Sequence, residues 1–385
     1  MFRAGIYIGW IGYSNLGDDS IYEQCRRHFP NIHWSPFLTL DYSVKPRQFI
    51  RRGGRDAKQI LRMFSDELSS QRRLRSLAAN SIHRLARFAG GEVGICGGEI
   101  NLNRNTASLR AYREVRRRTG SPVPVFGTGV AHPDFWLGRE DGWVDRRKEW
   151  VDLLAELPTV GVRGPFSKAY LEETGARNVV VCGDPAVSYH SRYANQELRT
   201  PRDGPLRIGI NAGFYPRAWG RPQDVHDSLV GLAQWLGKAG HRIQIVPAWA
   251  RDFQECMDVA RDAGLDRSAV VSACSSPEDF LNKIENFDLF VALNMHTGIL
   301  AAVANIPFVG LEYHPKCRDF AATAKWEDFF IRTDELNPRI LIDRVAILIA
   351  QLDTKRRELC CRLCELQSTF EGYCKDIAPL LLSRK

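Results

Sequence analysis

Among the residues able to do chemistry, His296 has the most informative setting, because it follows the apolar run 289–292 and opens the Ala-rich stretch 298–305. A histidine there can meet a ligand while the start of the following helix attracts a phosphate or carboxylate. A core histidine bonded to backbone fits the same pattern. Comparable loops follow other short apolar runs: Gly12-Tyr13-Ser14-Asn15-Leu16-Gly17-Asp18-Asp19, Gly97-Gly98-Glu99, Gly127-Thr128-Gly129, Arg163-Gly164, Gly183-Asp184-Pro185, Asn211-Ala212-Gly213 and Glu312-Tyr313-His314-Pro315-Lys316. Glycines in them let backbone approach a ligand, and free N–H groups at the next helix suit an anion. Asp18 and Asp184 are equally well explained as helix caps or turn residues. Gly127-Thr128-Gly129-Val130-Ala131-His132 lacks the third glycine of G-x-G-x-x-G, and neither a Walker A lysine motif nor a G-x-S-x-G elbow is present. Cys360-Cys361-x-x-Cys364, with Cys374 beyond, is half of a metal motif that no second pair completes. Cysteines at helical spacing read as packing, so no metal is expected.

The elements that must position these loops follow from hydrophobic pattern. Short apolar runs at 6–10, 93–96, 123–126, 159–162 and 179–182 form one set, and runs at 206–210, 242–246, 269–271, 289–292 and 308–311 a second, with helical patterns between them. That alternation predicts an α/β protein with parallel sheets in two Rossmann-like lobes and a ligand cleft between them. The polar piece 191–205 reads as a linker, placing one lobe at 1–190 and the other at 206–385. Residues 338–382 read as helical and are expected to pack across the second lobe and return to the first. Residues 45–87 carry twelve Arg or Lys against Asp56, Asp66 and Glu67, with apolar residues at helical spacing. This segment reads either as a solvated helix face or as a surface for an anionic lipid or glycan.

The 385 residues suit two ordinary domains. A net charge of +8 admits nucleic acid, an anionic membrane surface or a small acidic molecule as partner. No nucleic-acid module is recognisable, so nucleic acid is not expected. The apolar stretch 299–311 contains Asn305 and Pro307 and is shorter than the roughly 20 residues of a membrane span. With no export signal at the start, ten cysteines are expected to be reduced thiols, and the expected location is cytoplasmic, with attachment at the inner face of the membrane left open.

Taken together the loops resemble the polysaccharide pyruvyl transferase family. Gly12-Tyr13-x-Asn15-Leu16-Gly17-Asp18-Asp19 is similar to its G-x-x-N-x-G-D element, Gly97-Gly98-Glu99 to its glycine-rich stretch, and Val162-Arg163 to its V-R segment. Cys182-Gly183-Asp184-Pro185-Ala186 resembles its D-P-A turn. Met295-His296, Ala301-Ala302, Pro307-Phe308-Val309-Gly310 and Tyr313-His314-Pro315-Lys316 follow in order, like its C-terminal block. The resemblance implies a GT-B-like fold and transfer of pyruvyl from phosphoenolpyruvate to a sugar of a surface polysaccharide or lipid-linked glycan, forming a ketal. It implies no cofactor, since phosphoenolpyruvate is itself the donor substrate.

On this reading the donor's two anionic groups meet Arg163, Lys316, Arg217 and Arg318, with Asn294, His296 and Thr297 beside them. His296 is the candidate acid or phosphate stabiliser, and Asp18 or Glu99 orients or deprotonates an acceptor hydroxyl. Asn15, Gly97, Gly98, Gly127, Glu312 and His314 complete the expected acceptor side. One departure stands out: the family commonly has Arg two residues before this histidine, where Asn294 stands here. Either another cation takes over or the donor has changed. The alternatives are a GT-B-type glycosyltransferase using a nucleotide sugar, with Glu312 at the ribose, and a basic binding protein without catalysis.

Overall fold

The computed structural model describes residues 3–9, 11, 15–37, 91–102, 107–131, 135, 145–198, 204–213, 215 and 218–382. The basic segment 45–87, the Gly12-Tyr13-Ser14 part of the first loop, Arg217, and 199–203 of the expected linker lie outside the described residues. In the first half, β1 (Arg3–Ile8) lies between β2 (Ile32–Pro36) and β3 (Val93–Cys96), all parallel. Single parallel bridges, Cys96 to Val125 and Thr128 to Val162, carry the pairing on to β6 (Val160–Val162) and β7 (Val179–Val181). Beside them β4 (Ile100–Asn101) pairs with β5 (Val130–Ala131). The expected strand at 123–126 survives only as a bridge, because Pro122 and Pro124 have no N–H to donate to a ladder. Sequence pattern missed β2, whose five residues include polar His33 and Ser35 and end in proline.

In the second half β8 (Arg207–Ile210), β9 (Arg242–Ile245), β10 (Leu289–Ala292), β11 (Phe308–Glu312) and β12 (Phe330–Arg332) form one parallel sheet in the order β12-β11-β10-β8-β9. The three-residue β12 escapes pattern reading, while the expected strand at 269–271 contributes only a bridge from Val270 to Ile245. All four residues of β10 and all five of β11 are buried, as strands covered on both faces must be. The order places a topological switch point between β8 and β10, where the chain leaves in opposite directions. The β2-β1-β3 order places a second between β1 and β3. Ligands in open α/β sheets bind beyond the carboxyl ends of strands at such points.

Helices cover these sheets. The first five are α1 (Leu16–His28), α2 (Ala107–Thr119), α3 (Arg147–Leu154), α4 (Pro165–Glu173) and α5 (Pro222–Lys238). They are followed by α6 (Phe253–Asp262), α7 (Pro277–Ile284), α8 (Met295–Val303), α9 (Pro315–Ala324), α10 (Pro338–Ala350) and α11 (Leu352–Leu382). Every residue of α8 is buried, so this helix is enclosed rather than amphipathic. It packs against β10 and β11 on one side, and against α1 and the 3-10 turn Pro185–Arg192 on the other. The helical tail breaks at Gln351 into α10 and α11. Residues of α11 then reach the first sheet: the Tyr373 hydroxyl accepts from Gly161 N–H and donates to the Val125 carbonyl, and Arg3 donates to the Leu381 carbonyl. Among the described residues no helix is long and apolar enough to cross a membrane.

Candidate active site between the two sheets

The two switch points face each other. Beyond β1 and β3 lie Asp18, in the first turn of α1, and Glu99; beyond β8 and β10 lie Asn211 and His296, the latter in the first turn of α8, and the first turns of α1 and α8 touch. A Cβ placed on Gly17 would stand 2.2 Å from His296 Nδ1, so only glycine lets the imidazole lie against this turn. Asn15 caps α1 by accepting from Gly17 N–H, and its amide donates to Asp18. Asn294 caps α8 by accepting from His296 N–H at 2.9 Å. His314 caps α9, accepting from Lys316 N–H at 3.4 Å, with its Nε2 3.9 Å from the Glu99 carboxylate. Asp184 caps the 3-10 turn at Pro185. Several helix N-termini, the positive ends of their dipoles, thus open on one place.

At its centre is a buried charged cluster. Arg163 follows β6 and is 5 % exposed; its Nε donates to Asp184 Oδ2 at 2.5 Å. His296 Nε2 lies 3.5 Å from the same oxygen, at the outer limit of a hydrogen bond, and has no closer partner among the described residues. Burial works against the Asp184 charge, but Arg163 and then His296 outweigh it and hold this carboxyl well below its ordinary range. Burial also lowers His296; Asp184 opposes that, while Arg163 and Lys316 reinforce it. The imidazole is therefore neutral near pH 7 until an anion joins it. A Cβ on Gly129 would meet Arg163 Nη1 at 2.7 Å and Lys316 Cβ at 3.8 Å, so both side chains approach the same face of this backbone segment.

Half-buried Asp18 borders this cluster. Burial pushes its carboxyl up to about 7, opposed by Lys316 and Arg163 and assisted by Asp19 and Glu99. A carboxylate poised there can take a proton near neutral pH. A raised carboxyl makes the folded state bind a proton that the unfolded chain has released, so stability falls as pH rises from the unfolded value to about 7. Asp18→Asn is expected to raise the melting temperature by clearly more at pH 8 than at pH 5, and to slow turnover at both. A melting temperature shifted equally at both pH values would contradict a buried, titrating Asp18.

Several expected site residues are used inside the fold. The Asn294 amide is spent at both ends, since it also donates to the Tyr215 hydroxyl at 2.9 Å. Thr297 is fully buried, its hydroxyl donating to the Asn294 carbonyl at 2.7 Å with Asn211 Oδ1 at 3.1 Å, so its side chain is engaged within the fold. Gly97 and Gly98 both give their N–H groups to the Ile8 carbonyl. Gly127 has φ +59°, and a Cβ there would strike the Gly183 carbonyl at 2.6 Å, so glycine is required where this loop packs on the Asp184 turn. Arg318 is exposed and lies over the Phe166 ring at 4.5 Å. Glu312 sits at the end of β11, pushed up to about 7 by burial against the pull of Arg318 and Arg332.

Other contributors went unread in the sequence. Asp184 is both cap and counter-ion, and only the first of those roles shows in the Gly-Asp-Pro spacing. Asp319 of α9 accepts from Phe166 and Ser167 N–H, capping α4 from the other half of the chain. No spacing rule links residues 153 positions apart. Tyr215 holds Asn294, and buried Asp252, pushed up to about 7 by burial, lies under the loop at Gly213.

Two open parallel sheets with facing switch points make the GT-B arrangement, and solved structures agree on the fold. UDP-GlcNAc 2-epimerase from Neisseria meningitidis bound to UDP-GlcNAc matches with TM-score 0.53 at 11 % identity, covering all of both chains. Anabaena HepE in complex with UDP-glucose matches at 0.53 and 11 %, over 98 % of this chain and 99 % of that one. A trehalose-phosphate synthase from Burkholderia vietnamiensis matches at 0.50 and 12 %, over 99 % and 100 %. No curated protein matches the chain. The family model for polysaccharide pyruvyl transferase matches residues 15–315. The chain belongs to that family, and is a transferase of GT-B fold.

Proposed function

We propose that the protein transfers pyruvyl from phosphoenolpyruvate to two hydroxyls of a sugar, in a polysaccharide or lipid-linked glycan, releasing phosphate and leaving a cyclic ketal. The observation that carries this reading is the convergence of Arg163, Lys316 and a neutral His296 on helix N-termini, beside the poised carboxyl of Asp18. Phosphoenolpyruvate is a small dianion or trianion, and such a site binds its phosphate and carboxylate together. Arg163 and Lys316 supply the charge that Asn294 does not.

The donor phosphate, arriving beside His296, favours the imidazolium that burial disfavours, so binding itself arms the acid. His296 then gives a proton to the methylene carbon, which becomes the methyl group, while positive character develops at the carbon bearing phosphate. One sugar hydroxyl adds there, the carbon–oxygen bond to phosphate breaks, and the second hydroxyl closes the ketal. Of the two hydroxyl protons, one restores His296 and the other leaves on phosphate. Asp18, ionised above about pH 7, accepts the proton of the attacking hydroxyl and passes it on. No cofactor enters, because the enol phosphate is already activated. The basic segment 45–87 is our assignment for holding an anionic or lipid-linked acceptor near a membrane surface.

Incubation with phosphoenolpyruvate and a panel of activated and lipid-linked sugars should release phosphate stoichiometric with a pyruvylated product, and phosphoenolpyruvate alone should raise the melting temperature. Stabilisation by UDP, with indifference to phosphoenolpyruvate and no phosphate release, would replace this reading with a nucleotide-sugar transferase using Glu312.

A further inference from the structure

A second cluster lies away from the cleft, where α11 crosses the 3-10 turn Pro185–Arg192. His190 Nε2 and the sulfurs of Cys360 and Cys364 lie within 4.8 Å of one another. Cys360 and Cys364 are one helical turn apart and share a face of α11, whereas Cys361 projects from another face. The Cys364 Sγ is 3.5 Å from His190 Nε2. Zinc at its usual bond lengths to sulfur and imidazole holds two such atoms about 3.6 Å apart in a tetrahedron.

The histidine is also set up as a ligand should be. Its Nδ1 is 2.9 Å from the Val303 carbonyl, an acceptor, which fixes the N–H on that nitrogen and leaves the Nε2 lone pair facing the sulfurs. His190 is fully buried, Cys360 half-buried and Cys364 exposed, so an ion can enter from solvent and keep a water as fourth ligand. We infer that His190, Cys360 and Cys364 form a binding site for a thiophilic divalent cation of the zinc class. Bound there, the ion clamps α11 to the turn that Asp184 caps, and so braces the cluster at Arg163 and His296 from behind. The sequence showed only the cysteine half of this motif; the third ligand lies 170 residues before the first cysteine and reaches it only through the fold.

The test uses the reduced full-length protein. Zinc titrated against a chromophoric chelator should load one equivalent per chain, and cobalt in its place should give thiolate charge-transfer absorption with tetrahedral d–d bands. Altering an outer-shell partner alone costs about 10- to 100-fold in metal affinity, so Cys360→Ser/Cys364→Ser should lose about 100-fold or more, together with the cobalt band. Cys361→Ser should bind like wild type, and zinc should raise the melting temperature of wild type but not of the double variant. Absence of stoichiometric loading in wild type overturns the assignment. So does an unchanged affinity and cobalt spectrum in the double variant, or loss of both in Cys361→Ser. Circular dichroism of each unloaded variant separates lost ligands from lost fold.

Discussion

Replacing His296 by glutamine is expected to lower phosphate release from phosphoenolpyruvate by about 10²- to 10⁴-fold, the usual worth of a positioned acid. Glutamine keeps much of the ring's volume against Gly17 and cannot deliver a proton to carbon. The fold should tolerate the change, because Asp184 retains the 2.5 Å bond from Arg163 and its cap on the 3-10 turn. Alanine should abolish turnover equally but melt lower, since it opens a void where α1 meets α8. A pH profile adds a readout beyond rate. If donor binding charges His296, phosphoenolpyruvate affinity should weaken as pH rises through the imidazole range in wild type, and the glutamine variant should lose that dependence. Wild-type rates in the glutamine variant would remove His296 from the chemistry.

Loss of Arg163 should reach both catalysis and stability. Arg163→Ala leaves Asp184 buried and without its principal counter-charge, and breaking a buried pair in this way costs about 3–5 kcal/mol near neutral pH. The pH dependence carries the diagnosis. In wild type the Asp184 carboxyl is held low, so its stabilising charge is present above the unfolded value of about 4 and is lost as pH falls toward the folded one. Without the guanidinium, burial dominates, the folded value rises, and the sign reverses: the variant loses stability as pH rises. Its deficit against wild type should therefore be smaller at pH 5 than at pH 8, helped by protonation of neighbouring His296 at the lower pH. Urea midpoints at the two values measure this. Arg163→Lys keeps the charge but not the planar fork, and should recover part of the stability and little of the turnover. An equal, small deficit at both pH values would show that Asp184 does not depend on Arg163.

The α/β class and the loops that matter were legible because they rest on local rules. Apolar runs of strand length, alternating with helical periodicity, specify parallel sheets wherever both faces must be covered. The residues after those runs mark the ligand edge, and Asp18, Glu99, Arg163, His296, His314 and Lys316 do come together there. Where a local rule had a competitor, reading failed in a definite direction. Pro122 and Pro124 cancelled a strand that valines proposed, and three-residue β12 was too short to show a period. Asn294 and Thr297 lie beside the key histidine in sequence, yet capping and burial turned both side chains inward, since the first turn of an enclosed helix must satisfy its own polar groups.

What chain order alone dictated is therefore the kind of architecture and the chemical inventory along its edge. Partnership was decided by packing. Asp184 takes Arg163 from 21 positions away, His296 rests on Gly17, and Asp319 caps a helix from the opposite half. His190 meets two cysteines that the sequence assigned to packing. Each of these depends on which sheet edges face each other, a matter of burying α8 between them. Charges that look solvated in a string of letters become strong interactions once water is removed from around them.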